Sequence, residues 1–151
     1  MAERLIEVTD LKVQFATEDG IVKAVDGVSF ELERGKVLGI VGESGSGKSV
    51  TAMTLLGLTR DKNTRFEGEL LYKGRDVLKM DEGELQEVRG NEMSMIFQDP
   101  MTSMNPVYTI GAQICEAIQV HERADKDTAR RRAIDLLRQV GIPNADSRVD
   151  N

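Results

Sequence analysis

The sequence lacks the residues and patterns that hold small secreted proteins together or carry a chain across a membrane. It contains one cysteine, Cys115, and no tryptophan. A single cysteine excludes an internal disulfide framework and suits a reducing compartment. No apolar run approaches the roughly 18 residues of a membrane-spanning helix, and the amino-terminal residues lack the pattern of a secretory signal. We therefore expect a soluble, cytosolic domain, which could still reach a membrane through a protein partner.

The composition is that of a folded domain with an acidic surface. Of the 151 residues, 40% are hydrophobic and 30% are charged, which is typical of a globular chain. The formal net charge is −6. General nucleic-acid binding usually needs a basic surface, so we expect no nucleic-acid partner.

The amino-terminal residues alternate between apolar and polar side chains, which is typical of half-buried strands. This pattern occupies residues 11–15 and 28–33, and the Asp-Gly pair at residues 19–20 indicates a turn. Residues 1–36 are therefore predicted to form an antiparallel β region.

A different pattern follows over residues 37–58. Residues 37–41 are a short apolar run without alternation, which predicts a strand buried on both faces. A glycine-rich loop comes next, and a buried helix is predicted from Lys48 to Leu58, ending near Gly57.

The remaining residues show several shorter patterns. They predict a strand over 66–77 with a turn at 73–76, a helix over 82–89 that Asp81 caps, a strand over 93–97, and helices over 109–122 and 126–140. Residues 100–108 are expected to be a loop, and residues 144–151 show neither a helix nor a strand pattern.

The glycine-rich loop carries the clearest chemical signal. Gly42-x-x-x-x-Gly47-Lys48-Ser49 matches the phosphate-binding pattern at every fixed position. Its backbone N–H groups would cradle phosphates together with the helix amino terminus. Lys48 would contact the β- and γ-phosphates, and the Ser49 hydroxyl would bind Mg²⁺. The predicted nucleotide-binding residues are Gly42, Glu43, Ser44, Gly45, Ser46, Gly47, Lys48, Ser49 and Val50.

A phosphate loop alone does not choose among kinases, GTPases, helicases and transport ATPases. The Asn-Lys-x-Asp motif of guanine recognition is absent from the sequence, which disfavours a GTPase. A chance match in a glycine-rich chain is the alternative, but the strand expected before the loop and the helix after it argue against chance.

A second motif narrows the class of phosphate-loop protein. Residues 95–106 read Met-Ile-Phe-Gln-Asp-Pro-Met-Thr-Ser-Met-Asn-Pro. With the phosphate loop, this stretch resembles the ATP-binding subunits of ABC transporters, and more narrowly the oligopeptide, dipeptide and nickel importers. In that family the motif typically reads Phe-Gln-Asp-Pro and then Ser-Leu-Asn-Pro, so Met104 replaces a leucine. The resemblance covers residues 4–151.

The resemblance implies roles for particular residues. Gln98 matches the glutamine that contacts Mg²⁺ or the attacking water, and Gln98 and Lys48 would be the catalytic residues. Phe15 lies where an aromatic ring stacks on adenine in the family, although it could equally be part of a strand core. The family loop at residues 99–106 meets a membrane subunit, and residues 109–140 would begin a helical subdomain.

The resemblance also implies a fold and partners. The fold class would be α/β, a P-loop NTPase of the ABC type, with an antiparallel region over 1–36, a P-loop core over 37–98 and a partial helical subdomain over 99–151. The cofactors would be ATP and Mg²⁺. The partners would be transmembrane permease subunits and a second ATP-binding subunit, as a homodimer or a heterodimer, at the cytoplasmic face of the plasma membrane.

Several groups that the family uses for hydrolysis do not occur in the sequence. It contains no Leu-Ser-Gly-Gly-Gln signature, no apolar run leading into Asp-Glu, and no histidine at a switch position, since the single histidine is His121. We expect a truncated ATP-binding domain that does not hydrolyse ATP by itself. A non-catalytic nucleotide-binding remnant or an interaction fragment is the alternative.

Overall fold

Two long amino-terminal strands pair with each other in an antiparallel sheet, as their alternating side chains predict. The structure, a computed structural model, describes residues 3–99 and 103–151. The strands are β1 (Arg4–Thr17), β2 (Gly20–Glu33), β3 (Thr64–Tyr72) and β4 (Arg75–Asp76). The sheet order is β2-β1-β3-β4, and every pair is antiparallel. The expected strand over 66–77 is thus a strand, a turn and a two-residue strand.

One face of the sheet packs against the helix α2 (Glu82–Val88) and forms the hydrophobic core of the first unit, which ends at Ser94. Leu11 and Val13 of β1 are fully buried, and the intervening Lys12 is not, which confirms the expected alternation. Asp81 caps α2, as predicted, and its carboxylate accepts a hydrogen bond from the Glu84 N–H. The buried residues of this core are Ile6, Val8, Leu11, Val13, Val25, Leu70, Tyr72, Val77, Met80, Leu85 and Val88.

The helix α1 (Lys48–Leu55) follows the glycine-rich loop, as expected. It ends three residues before the predicted Leu58, and Gly57 takes a left-handed conformation with φ of 64°. Within the helix, the fully or nearly buried side chains are Thr51 and Thr54. Their hydroxyls bond to the backbone carbonyls four residues earlier, so these polar groups are satisfied although they are buried.

Two predicted strands are wrong in this structure. Residues 37–41 form no strand, and Val37 and Val41 are 97% and 93% exposed rather than buried. Residues 93–97 form no strand either, since Met93 makes a single bridge to Arg89 and Ile96 is 96% exposed. An apolar run becomes a strand only when neighbouring strands take up its N–H and C=O groups. None of the four strands in the described residues pairs with either run.

A second unit begins at Met95 and consists of helices. Its elements are α3 (Ile110–Glu122), α4 (Lys126–Gln139) and α5 (Ala145–Arg148). The expected helices over 109–122 and 126–140 are confirmed within a residue at each end. The predicted loop over 100–108 is confirmed at residues 103–108, while residues 100–102 lie outside the described residues.

The expectation of no regular structure after Asn144 is wrong. The four residues of α5 form a helix there, and Ala145 and Val149 are buried in a core that they share with α3 and α4. The Val149 carbonyl accepts a hydrogen bond of 2.8 Å from the Gly111 N–H of α3. Such tertiary contacts leave no periodic signature in so short a segment. No helix in the described part of the chain has the length and apolarity that crossing a bilayer requires.

Candidate functional site

The loop before α1 is shaped by glycines that either take a positive φ or lie close to other atoms. Gly45 and Gly47 take positive φ values of 80° and 88°, which side chains other than glycine rarely adopt. A Cβ at Gly47 would lie 2.2 Å from the Ala24 carbonyl oxygen, and one at Gly42 would lie 2.7 Å from the Ser46 Oγ. The loop therefore packs directly against the backbone of β2, and only glycine fits at the point of contact.

A cavity of about 270 Å³ lies between this loop and β2. Three residues of β2 and the end of the loop with the first turn of α1 line it. These residues are Val22, Lys23, Ala24, Gly45, Ser46, Gly47, Lys48, Ser49 and Val50. Most of the residues that the phosphate-binding pattern predicted are thus brought together around one cavity.

Lys48 folds back over the loop rather than extending into solvent. Its ammonium group donates hydrogen bonds to the Gly42 and Glu43 carbonyl oxygens at 2.9 and 2.6 Å, and contacts the Ser46 hydroxyl at 3.3 Å. Within the described residues, these three partners are neutral oxygens, and a flexible cation held in this way can turn towards an anionic ligand without breaking an ion pair.

The amino terminus of α1 has no side-chain cap. Gly47 precedes the helix as its N-cap residue with a left-handed backbone, α1 begins at Lys48, and its first turn contains no acidic residue. The first N–H groups of a helix have no partner within the helix and carry its positive dipole end. By contrast, Asp81, Thr109 and Asp125 cap α2, α3 and α4 with side-chain oxygens. The donors at the start of α1 are therefore available to an anion.

Ser49 is the second residue of α1 and is exposed beside the cavity. Among residues 3–99 and 103–151, no group of three or more His, Cys, Asp or Glu side chains could hold a metal ion. Mg²⁺ usually binds one or two protein ligands together with substrate phosphates and water. A single hydroxyl next to a phosphate cradle fits that mode of binding, and does not fit an all-protein metal cage.

The structure locates the other candidate residues without testing their roles. Phe15 lies opposite Val22 in the β1–β2 register, is half-buried and packs against the core. It does not line the cavity, although Val22 does. Packing against the strand core is thus observed for Phe15, and stacking on adenine stays a prediction. Gln98 is an exposed residue of the second unit, and its role stays a prediction from the motif.

Sequence reasoning missed one wall of the cavity. Val22, Lys23 and Ala24 belong to an edge strand, and nothing in its pattern marks these residues as facing a loop. The only available signal is indirect, because a glycine at residue 47 implies that some backbone approaches it closely. The identity of that backbone is not encoded locally.

Comparisons with known proteins show the family to which this sequence is similar. A family model described as ABC transporter matches residues 25–151. The dipeptide transport ATP-binding protein of Lactococcus lactis is 52% identical over 150 residues, which are 99% of this chain and 43% of that protein. The oligopeptide transport ATP-binding protein of Bacillus subtilis is 49% identical over 148 residues, which are 97% of this chain and 41% of that protein. The chain thus spans less than half the length of these relatives.

Solved structures show the same fold at lower sequence identity. A dimeric bacterial ABC transporter cassette superposes with a TM-score of 0.75 at 22% identity, over 89% of this chain and 56% of that one. A post-hydrolysis state of an ATP-binding cassette, bound to ADP and Pi, superposes with a TM-score of 0.74 at 21% identity, with the same coverage.

Proposed function

The chain belongs to the ABC transporter family, and from this premise we propose that it is part of an ATP-binding subunit that powers the import of peptides or a related solute. The observation that carries the proposal is the uncapped start of α1 beside a glycine loop that packs on β2. That arrangement offers backbone donors, a helix dipole and one mobile ammonium group to a polyphosphate.

ATP with Mg²⁺ is the ligand that these groups fit. The N–H groups of the loop and of the first turn of α1 would hold the phosphates. Lys48 would turn from the Gly42 and Glu43 carbonyls to the terminal phosphates, and the Ser49 hydroxyl would be the protein ligand of Mg²⁺. We extend the adenine-stacking role to Phe15 and the role near the attacking water to Gln98 on the sequence motif alone.

We propose that the residues of this chain bind nucleotide but do not hydrolyse it unaided. Phosphoryl transfer needs a positioned water and neutralisation of developing charge from several sides. General-base help alone typically contributes about 10²–10⁴-fold. The chain has no signature motif and no Asp-Glu pair after an apolar run. ATPase activity would therefore belong to the whole protein, with a second ATP-binding subunit facing it.

The proposed partners are membrane permease subunits, which place the protein at the cytoplasmic face of the inner membrane. The support comes from the relatives, whose names describe dipeptide and oligopeptide transport. The dimeric cassette supports pairing with a second ATP-binding subunit.

Calorimetric titration of the full-length protein with ATP tests the nucleotide part of the proposal. We expect binding that strengthens with Mg²⁺, and a Ser49→Ala variant in which most of the Mg²⁺ dependence is lost. A matched Ser94→Ala variant, outside the loop, should behave as the wild type. Absence of ATP binding by the wild type would refute the assignment.

Crosslinking tests the partner. Ser103 lies in the proposed permease-facing loop and is exposed. A cysteine at Ser103 should crosslink to a cytoplasmic segment of a membrane subunit, whereas a cysteine at Ser147 in α5 should not. Crosslinks from Ser103→Cys to soluble proteins only would count against an importer.

A further inference from the structure

The side-chain amide of Gln113, in the first turn of α3, fixes the loop that precedes the helix. Its Nε2 donates to the carbonyl oxygens of Asn105 and Tyr108 at 2.9 and 3.0 Å. Its Oε1 accepts a hydrogen bond of 2.8 Å from the Asn105 N–H. These three backbone groups lie in a loop, where no helix or strand supplies partners for them. One side chain therefore satisfies all three.

The segment that Gln113 holds is a turn with exposed apolar side chains. The turn closes through the Tyr108 N–H and the Asn105 carbonyl at 3.3 Å, and the Val107 N–H donates to the Asn105 Oδ1 at 3.0 Å. Val107 is 81% exposed and Tyr108 is 63% exposed. An apolar surface on a loop gains binding strength when the loop is ordered in advance, because ordering then costs nothing at the moment of docking.

We infer that Gln113 is a positioning residue that holds the turn at residues 105–108 in the one conformation in which it docks on a cytoplasmic helix of the membrane subunit. The inference rests on the proposed function, in which the loop at residues 99–106 meets that subunit. The occupant is a transporter membrane subunit because the relatives are transport ATP-binding proteins. Gln113 itself makes its three bonds to the turn, so it acts through the turn rather than by touching the partner.

Two substitutions separate the acceptor from the donors of this amide. Gln113→Met keeps the length of the side chain and removes all three hydrogen bonds. Gln113→Glu keeps an acceptor for the Asn105 N–H but presents an oxygen to the Asn105 and Tyr108 carbonyls. Gln119→Met on the same helix is the matched control, since the described residues give its side chain no hydrogen bond.

The experiment measures three quantities on the full-length protein: ATP affinity, amide hydrogen exchange at Asn105, and affinity for the membrane subunits in lipid nanodiscs. For Gln113→Met we expect exchange at Asn105 to rise and membrane-subunit affinity to fall, each by about tenfold. ATP affinity should not change. Gln113→Glu should keep Asn105 protected and still lose affinity for the membrane subunits, because both carbonyls are repelled.

The outcomes distinguish the inference from the proposal beneath it. If the wild type binds the membrane subunits and Gln113→Met binds equally well, the inference fails and the proposed function stands. An equal loss in Gln119→Met, or a parallel loss of ATP affinity, would mean a general structural role and would also overturn the inference. If the wild type itself does not bind the membrane subunits, the proposed function fails.

Discussion

The amino termini of α1 and α2 differ in how their backbone donors are satisfied. Asp81 and Glu84 form a capping box at α2, in which each side chain accepts a hydrogen bond from the other residue's N–H. At α1, Gly47 provides no side chain at all. The end of α2 is capped by side chains of its own chain, whereas the end of α1 has no side-chain cap and is where we propose that phosphates bind.

The same contrast extends to charge. The first turn of α2 carries Glu82 and Glu84, which complement the helix dipole. The first turn of α1 carries no acidic residue and begins with Lys48. Acidic side chains would repel a polyphosphate, so their absence at α1 favours binding at the expense of local stability. The following predictions test whether the amino terminus of α1 serves ligand binding while the amino terminus of α2 serves only the stability of its helix.

The largest effect is expected from Gly47→Ala. The new methyl group would meet the Ala24 carbonyl at 2.2 Å and force a left-handed alanine. The loop must then move away from β2, so we expect ATP binding to become undetectable and unfolding free energy to fall by about 1–3 kcal/mol. Chemical denaturation and calorimetric titration of the full-length protein measure the two effects.

Gly141→Ala is the matched control for this change. Gly141 also has a positive φ, of 80°, but an added Cβ there has nothing within 4 Å. We expect some destabilisation from backbone strain and unchanged ATP affinity. Loss of ATP binding in both variants would contradict the idea that the close contact with β2 shapes the site.

Lys48→Ala should produce the next largest effect. Lys48 and Lys126 are the first residues of α1 and α4, but the end of α4 is capped by Asp125. A hydrogen bond to a charged group contributes about 1.5–3 kcal/mol, so ATP affinity should fall roughly 10- to 100-fold in Lys48→Ala. Lys126→Ala should bind ATP as the wild type does. Equal affinities of the two variants by calorimetry would refute the phosphate-binding role of Lys48.

Asp81→Ala should show the reverse pattern. Removing the cap leaves the Glu84 N–H without its acceptor, and the expected loss of unfolding free energy is about 1 kcal/mol. ATP affinity should stay the same, because the donors at α2 serve the helix alone. Urea denaturation followed by circular dichroism measures the loss, and Asp81→Asn should recover most of it. A weaker affinity for ATP in Asp81→Ala would contradict the claim that the amino terminus of α2 plays no part in ATP binding.

Features that depend on neighbouring residues could be predicted from the sequence. The cap at Asp81 and the glycine-rich loop are both local features, because Asp81 bonds to Glu84 and Lys48 bonds to the Gly42 and Glu43 carbonyls nearby in the chain. The alternation of β1 was also readable, since a strand with one buried face shows it directly.

Features that depend on distant residues could not be predicted in this way. The run at residues 37–41 has a strand composition, but its strand character requires partners that no local pattern specifies. The close contact between Ala24 and Gly47 and the hydrogen bond between Gln113 and Asn105 likewise depend on residues that no local pattern specifies. Each became visible only in three dimensions.

The smallest predicted effect concerns the cap of α4 and its dependence on pH. The Asp125 carboxylate accepts hydrogen bonds from the Thr128 N–H at 2.9 Å and from the Thr128 hydroxyl at 2.7 Å. The backbone bond, and then the hydroxyl bond, hold the pKa of Asp125 below its usual value of 3.8. A lowered pKa means that the cap contributes stability fully above pH 3.8 and loses it as the pH falls through the lower folded value.

This pH dependence should be confined to a capped helix end. A carbon-detected NMR titration of the full-length protein should give Asp125 a midpoint below 3.8, with exchange of the Thr128 amide rising over the same range. In Asp125→Asn the cap persists without a titrating group, so the rise at Thr128 should vanish. The start of α1 has no side-chain cap to protonate, and its amides should exchange independently of that midpoint unless a bound phosphate protects them. A midpoint at or above 3.8 would show that Asp125 does not cap α4 in solution, and α4 would then resemble α1 at its amino terminus.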